Sequence, residues 1–167
     1  LESDIELALE QLRATMDSLS ATETDLETVL AQFRFHHEAR LNRSGLSLHW
    51  RVQPLHVPPW EPAALWQMEL MLREVFANIL KHAHAQHITV TAGCNAEGLC
   101  HIAIEDDGQG FDSQNRNPNC SGGRGLRHLQ ERSDALGLHL EINSSTKGTR
   151  IVWNWSRNWL PMQELPT

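Results

Sequence analysis

The sequence predicts an α/β chain of the α+β kind: a two-layer sandwich in which one mixed, mostly antiparallel sheet carries helices on one face. Three observations lead there. Residues 68–85 place Leu72, Val75, Phe76, Ile79, Leu80 and Ala83 on one side at about 100° per residue, the mark of a helix with one buried face. Several shorter runs alternate apolar and polar residues with a period of two, the mark of half-buried strands. Between these runs stand brief turn sequences rich in Asn and Gly, short enough to join neighbours in space.

Taken in order, residues 1 to about 20 space Ile5, Leu9, Leu12, Met16 and Leu19 four and three apart, a heptad seam of about two and a half repeats. So short a seam fits a helix packed on a partner helix and equally an amphipathic helix folded back on the domain. Thr24-Asp-Leu-Glu27 reads as a capping box opening a second helix, with Leu26, Leu30 and Phe33 inward and an end near Arg40. Leu46, Leu48, Trp50 and Val52 alternate with Ser47, His49 and Arg51 as a strand. Pro54, Pro58, Pro59 and Pro62 form a stiff connection that stops short of the long helix. After it, Ile88, Val90, Ala92 and Cys94 turn through Asn95-Ala-Glu-Gly98 into Cys100, Ile102 and Ile104, an antiparallel hairpin. Residues 112–120 are polar and Asn-rich and read as a mobile loop. A helix from Gly125 buries Leu126, Leu129 and Leu136 and stops at Gly137. Leu138, Leu140 and Ile142 pair, through the turn from Asn143 to Gly148, with Ile151, Trp153 and Trp155, and a tail follows from Trp159.

A chain of 167 residues with 40% hydrophobic content can build one real core plus an appendage. The net charge of −7 argues against a nucleic-acid footprint, which needs a basic surface, so an anionic ligand must be met locally by a few cations and amides. Cys94, Cys100 and Cys120 are odd in number and make no Cys-x-x-Cys pair, so neither a disulfide framework nor a zinc site is expected and a reducing, cytoplasmic setting fits. No apolar run approaches the ~18 residues of a membrane span, and no signal peptide heads the chain. The absence of an initiator Met suggests a fragment of a longer protein.

The chemistry gathers in three places. Opposite its apolar side, the long helix aligns Glu74, Asn78, Lys81 and His82, an acid, an amide, an ammonium and an imidazole in register. Asn is a middling helix former, so its place mid-helix asks for a reason. Ile102 to Phe111 is a short strand running into Asp106, Asp107, Gly108 and Gly110. Gly122-Gly-Arg-Gly-Leu-Arg-His-Leu129 is a glycine cluster opening onto a helix. In this order the three resemble the N, G1 and G2 boxes of the Bergerat-type ATP-binding fold shared by histidine kinases, gyrase, MutL-type repair proteins and a heat-shock chaperone. Arg73 to Ala83 and Gly125 to Gly137 read most like two-component sensor histidine kinases of the nitrate/nitrite-sensor type, and the resemblance covers roughly residues 20 to 155.

The resemblance implies a catalytic domain that binds ATP and Mg2+. By it, Asp106 reads the adenine amine, Gly108 and Gly110 let the backbone approach a flat ring, and Asn78 offers an amide oxygen to magnesium. Lys81 and His82 would face the phosphates, while Gly123, Arg124, Gly125 and Leu126 supply loop amides and a helix N-terminus. Thr149 matches a position near the adenine acid. Glu74 either orients magnesium-bound water or acts as general base, and the first is favoured because the subfamily uses an acid beside the acceptor histidine. Many relatives carry Asn where this chain has Asp107, so that residue receives no role. The expected division is a helical lead-in at residues 1–41, remnant of the dimerisation and phosphotransfer region, a catalytic domain at 42–157 and a tail at 158–167. The expected partners are a phosphoacceptor histidine domain of the same parent and a response regulator. The parent would be a homodimer, with this part cytoplasmic and the whole anchored in the inner membrane.

No string here resembles the acceptor motif Glu-Leu-His-Asp. His37, followed by Glu38, is the tempting substitute, but it lies in the stretch that matches the helix after the acceptor hairpin. His82, His84 and His87 could suggest zinc, yet residues two apart on a helix point about 200° apart and cannot share a metal unless the helix has ended. Two other functions fit the same motifs less well: an anti-sigma-factor serine kinase, against which the helical lead-in speaks, and a nucleotide-binding module without turnover.

Overall fold

The computed structural model describes residues 24–111 and 121–160, and of residues 121–124 the backbone only. The element order is α1 (Leu26–Arg43), β1 (Ser47–Val52), α2 (Pro62–Asn78), a π-helical turn (Ile79–Ala83), β2 (His87–Cys94), β3 (Leu99–Asp106), α3 (Ser121–Ala135), β4 (His139–Ser145) and β5 (Gly148–Ser156). The strands form one five-stranded sheet in the order β1-β2-β3-β5-β4. Only β1 and β2 run parallel, and every other pair is antiparallel, so the expected mixed sheet is present. The expected seam of residues 1 to 20 and the loop of residues 112–120 lie outside the described residues.

Strand alternation sets the two layers apart. Ile88, Val90, Ile102, Ile104, Ile151 and Trp153 are buried on one face, where they meet Leu30, Phe33, Met68, Leu72, Phe76 and Leu129 of the helices in one core. At its centre the Trp153 indole donates to Ser133 Oγ at 2.9 Å, and that hydroxyl donates to the Leu129 carbonyl at 2.7 Å, so the buried polar atoms satisfy one another. Among the described residues no helix is long and apolar enough to cross a membrane.

Four expectations about local structure are corrected. The N-cap of α1 is Asp25, whose carboxylate accepts from the Thr28 N–H at 2.7 Å, and the helix runs on to Arg43. Glu27 is therefore not the return arm of a capping box: its Oε1 accepts from the backbone N–H of Leu55 at 2.7 Å and of His56 at 3.2 Å, tying α1 to the proline-rich connection. Pro62 opens α2 at its first turn, where its missing N–H costs nothing, rather than holding the chain short of the helix. Finally, Cys94 and Cys100 are bonded to each other, against the expectation of no disulfide. They flank the hairpin turn symmetrically and face each other in the β2–β3 register with Cα atoms 3.9 Å apart, which a reading by Cys-x-x-Cys spacing overlooks. The tail begins with an anchor, because Trp159 lies against Gly137 and donates its indole N–H to the Leu136 carbonyl at 3.0 Å.

Candidate functional site

The long helix does not keep one geometry. It is α-helical to Asn78 and then widens into a single π turn, Ile79–Ala83, that ends at His84 in the left-handed conformation with φ 52°. The four-residue stripe expected on one continuous helix is thereby split. Glu74 and Asn78 stay together on the α-helical part, with Asn78 Nδ2 donating a long hydrogen bond of 3.4 Å to Glu74 Oε1. Lys81 and His82 lie on the widened turn and are exposed, and it is the backbone oxygen of His82 that joins the site, accepting from Gln109 Nε2 at 2.8 Å. The helix has ended before His84, which removes the geometric objection to a zinc site; even so, among the described residues no three His, Cys, Asp or Glu side chains converge as metal ligands.

Helix α3 starts at Ser121, four residues before the expected Gly125, so Gly123, Arg124 and Gly125 belong to its opening turns and not to a preceding loop. The free amides of a helix start are then those of residues 121–124. Gly125 faces α2 so closely that a Cβ there would overlap Glu74 Oε1 and stand 3.4 Å from Asn78 Nδ2. Leu126 beside it is half-buried. The first and third motifs thus touch at Gly125, where any larger residue would displace the Glu74 carboxylate.

The second motif lies at the other end of the π turn. Gln109 N donates to the Ala83 carbonyl at 2.8 Å, and a Cβ on Gly108 would overlap that same carbonyl. Gly110 has φ 61°, and a Cβ on it would strike the Ser145 carbonyl in the β4–β5 turn. Between these contacts Asp106 ends β3, only 6% exposed, with its Oδ1 accepting from the Gly108 N–H at 2.9 Å. Thr149 lies directly opposite it in the β3–β5 register, and its hydroxyl is 2.9 Å from Ser144 Oγ. Burial pushes the Asp106 carboxyl above the ordinary carboxylate range, against the pull of N–H groups from Gly108 and Thr149.

Three participants were missed. Asp107 is held down to about 2, chiefly by the backbone N–H of His87. Its partners lie about twenty positions upstream, and only the register of β2 and β3 reveals them. Ser144 accepts from the Phe111 N–H at 2.8 Å, and Gly148 lies so close to the Asp106 carbonyl that a Cβ would overlap it. The Gly-Thr pair 148–149 after a turn was the available signal for the last.

A mixed sheet backed by helices, with an acid at a strand end beside a glycine turn, is an ATPase-type arrangement. The chain belongs to the family of histidine kinase-like ATPase domains, whose profile matches residues 10–155. It is 28% identical over 143 residues to the sensor histidine kinase YbdK of Bacillus subtilis, a match covering 77% of this chain and 41% of that protein. It is 30% identical over 146 residues to a NarQ-homologue sensor protein of Haemophilus influenzae, covering 78% of this chain and 25% of that protein. The chain thus spans less than half the length of these curated relatives. Among solved structures, the histidine kinase domain of a blue-light activated kinase from Erythrobacter litoralis superposes with a TM-score of 0.62 at 20% identity, over 82% of this chain and 65% of that one. The catalytic domain of the histidine kinase ThkA does so with a TM-score of 0.64 at 11% identity, over 82% and 95%. At these identities the likeness is one of fold, and it agrees with the α+β class expected from sequence.

Proposed function

We propose that this chain carries the ATP-binding catalytic domain of a sensor histidine kinase, transferring the γ-phosphate of ATP to a histidine outside this chain for relay to a response regulator. The observation that carries the reading is Asp106: a carboxyl buried at a strand end, beside a glycine turn packed too tightly for any side chain. An acid placed there is costly to the fold, and an exocyclic amine donating to it would offset that cost. Adenine supplies such an amine. Thr149, opposite Asp106, would complete the polar floor, while Gly108 and Gly110 would let the ring lie against backbone.

Asn78 gives its N–H to Glu74 and so keeps its amide oxygen for a hard cation. Because no three acidic, His or Cys side chains converge among the described residues, such a cation would complete its shell with phosphate oxygens and water, as Mg2+ does. The ion would neutralise phosphate charge. Glu74 would orient a water of that shell, and Lys81, His82, Arg124 and the opening amides of α3 around Gly123, Gly125 and Leu126 would meet the phosphates. Since phosphoryl transfer depends mostly on positioning and charge, a site of this composition suffices once the acceptor is brought to it. By the same reading the parent is a homodimer, this part of it lies in the cytoplasm, and the parent is anchored in the inner membrane.

His37 is a poor substitute for that acceptor. Its ring is half-buried and packs 4.2 Å from that of Phe33, held in the fold and away from an incoming phosphate. The chain should therefore bind Mg-ATP in calorimetry, more weakly as Asn78→Ala, and should take no label from γ-labelled ATP until an acceptor hairpin is supplied. Acid-labile label that disappears with His37→Gln would overturn this assignment, and acid-stable label would point to a serine kinase.

A further inference from the structure

Asp107 stands beside the base-reading acid but binds in another direction, toward the start of β2. Its Oδ1 accepts from the backbone N–H of Gln86 at 2.7 Å and of His87 at 2.8 Å, and its Oδ2 lies 2.7 Å from His87 Nδ1. The Asp107 N–H donates back to the His87 carbonyl at 3.3 Å. Two residues on, Gln109 donates its backbone N–H to the Ala83 carbonyl and its side-chain amide to that of His82, both at 2.8 Å. The turn after β3 is thus clasped twice by one segment, residues 82–87, and that segment ends the helix bearing Asn78. Gly108 sits between the clasps and donates to Asp106 Oδ1, so the place of that carboxylate depends on where the clasps hold the peptides around it.

An exposed acid–histidine pair contributes little by itself. Bonds from backbone N–H groups to a carboxylate are stronger and directional, and the groups involved here are already ordered by the sheet. The His87 ring also stacks on His49 of β1 with centroids 5.7 Å apart. These contacts run from β1 through β2 to the turn that follows Asp106.

We propose that Asp107 is a positioning residue for base recognition: through His87 and the 82–87 segment it holds Asp106 where the carboxylate can accept the adenine amine. This rests on the nucleotide reading above. Asp107 touches neither nucleotide nor metal in it and acts only through its neighbour.

The test compares Asp107→Ala with Asp107→Asn, whose carbonyl oxygen can still accept the two backbone bonds. Binding of Mg-ATP and Mg-GTP is measured by calorimetry at a temperature where all forms are folded. Asp107→Ala should lose about tenfold in ATP affinity and most of any preference for ATP over GTP, while Asp107→Asn should stay within about threefold of the wild type. Unchanged affinity and preference in Asp107→Ala overturns the proposal. So does a loss shared equally by both nucleotides, which marks a merely structural acid. If the wild type binds no nucleotide, the nucleotide reading fails by itself and amide exchange decides the hold on the turn. Exchange at Gly108 and Gln109 should then be about tenfold faster in Asp107→Ala but not in Asp107→Asn, and equal rates in all three forms overturn it.

Discussion

Strand β3 has two ends built on opposite principles. At its beginning, Cys100 is fully buried, bonded to Cys94 on one side and opposite Trp155 on the other, and the Trp155 ring meets Trp60 edge-on at 5.5 Å. Both indole N–H groups are buried there without a partner among the described residues, so apolar contact has to outweigh their desolvation. At its other end, Asp106 and the turn that follows are held almost wholly by hydrogen bonds and by glycines admitting backbone against backbone. One end is closed by packing and a covalent link, and the other is a polar mouth whose parts are aligned by hydrogen bonds. Packing and a covalent link at one end can offset the cost of the buried acid at the other, which the fold alone does not favour.

The largest effect should come from emptying the closed end. Trp155→Ala should cost about 3–5 kcal/mol in urea denaturation, since a large buried ring is lost. Nucleotide affinity of the folded fraction should hardly change. A specific loss of binding would mean that the two ends are coupled.

Asp106→Asn should do the reverse. On the proposed nucleotide reading it should remove a charge-assisted bond to adenine of about 1.5–3 kcal/mol, with a smaller loss for GTP, whose edge an amide can still meet. Stability at neutral pH should hold or rise, because the Asp106 carboxyl is raised by burial and its ionised form is a cost that neutral Asn does not carry. Equal losses for ATP and GTP would remove Asp106 from base reading.

Reducing the Cys94–Cys100 bond should lower stability by about 2 kcal/mol at most, because the closed loop is short at a separation of six residues. Calorimetry in reductant should find Mg-ATP affinity unaltered. A shift there would again show the ends to be linked.

The smallest effect separates the two neighbouring acids. Asp107 is held to about 2 in the fold, below the ordinary 3.8, so its contribution is present above that value and is lost as pH falls toward 2. Its carboxylate is nearly half exposed, which limits the contribution to about 1 kcal/mol. Asp106, raised by burial, has the opposite sign and weighs against stability once the pH rises through its folded value. Denaturation at pH 7 should find Asp107→Asn destabilised and Asp106→Asn not. Two variants falling together would contradict that assignment of signs.

Much of this was legible along the chain, because periodicity is a local property. A buried strand face must repeat every two residues and a buried helix face every three to four, so Ile88 to Ala92, Ile102 to Ile104 and Leu72 to Ile79 announce their elements without knowledge of their neighbours. Asp106, Gly108 and Gly110 were singled out by the order of the three motifs and the ATP-binding fold that this order resembles, and the structure gathers them at the end of β3. The contacts were not legible. The partners of Asp107 lie twenty residues away, the helix acid Glu74 meets Gly125 across two elements, and Glu27 serves a loop and not its own helix end. Even the Cys94–Cys100 bond, only six residues apart, depended on the register of the hairpin. The switch from α to π geometry at Ile79, which divides Glu74 and Asn78 from Lys81 and His82, leaves no mark in hydrophobic period because Ile79 and Ala83 are buried in either form. Which polar groups meet is settled by how strands align and layers pack, and those choices depend on the whole core at once.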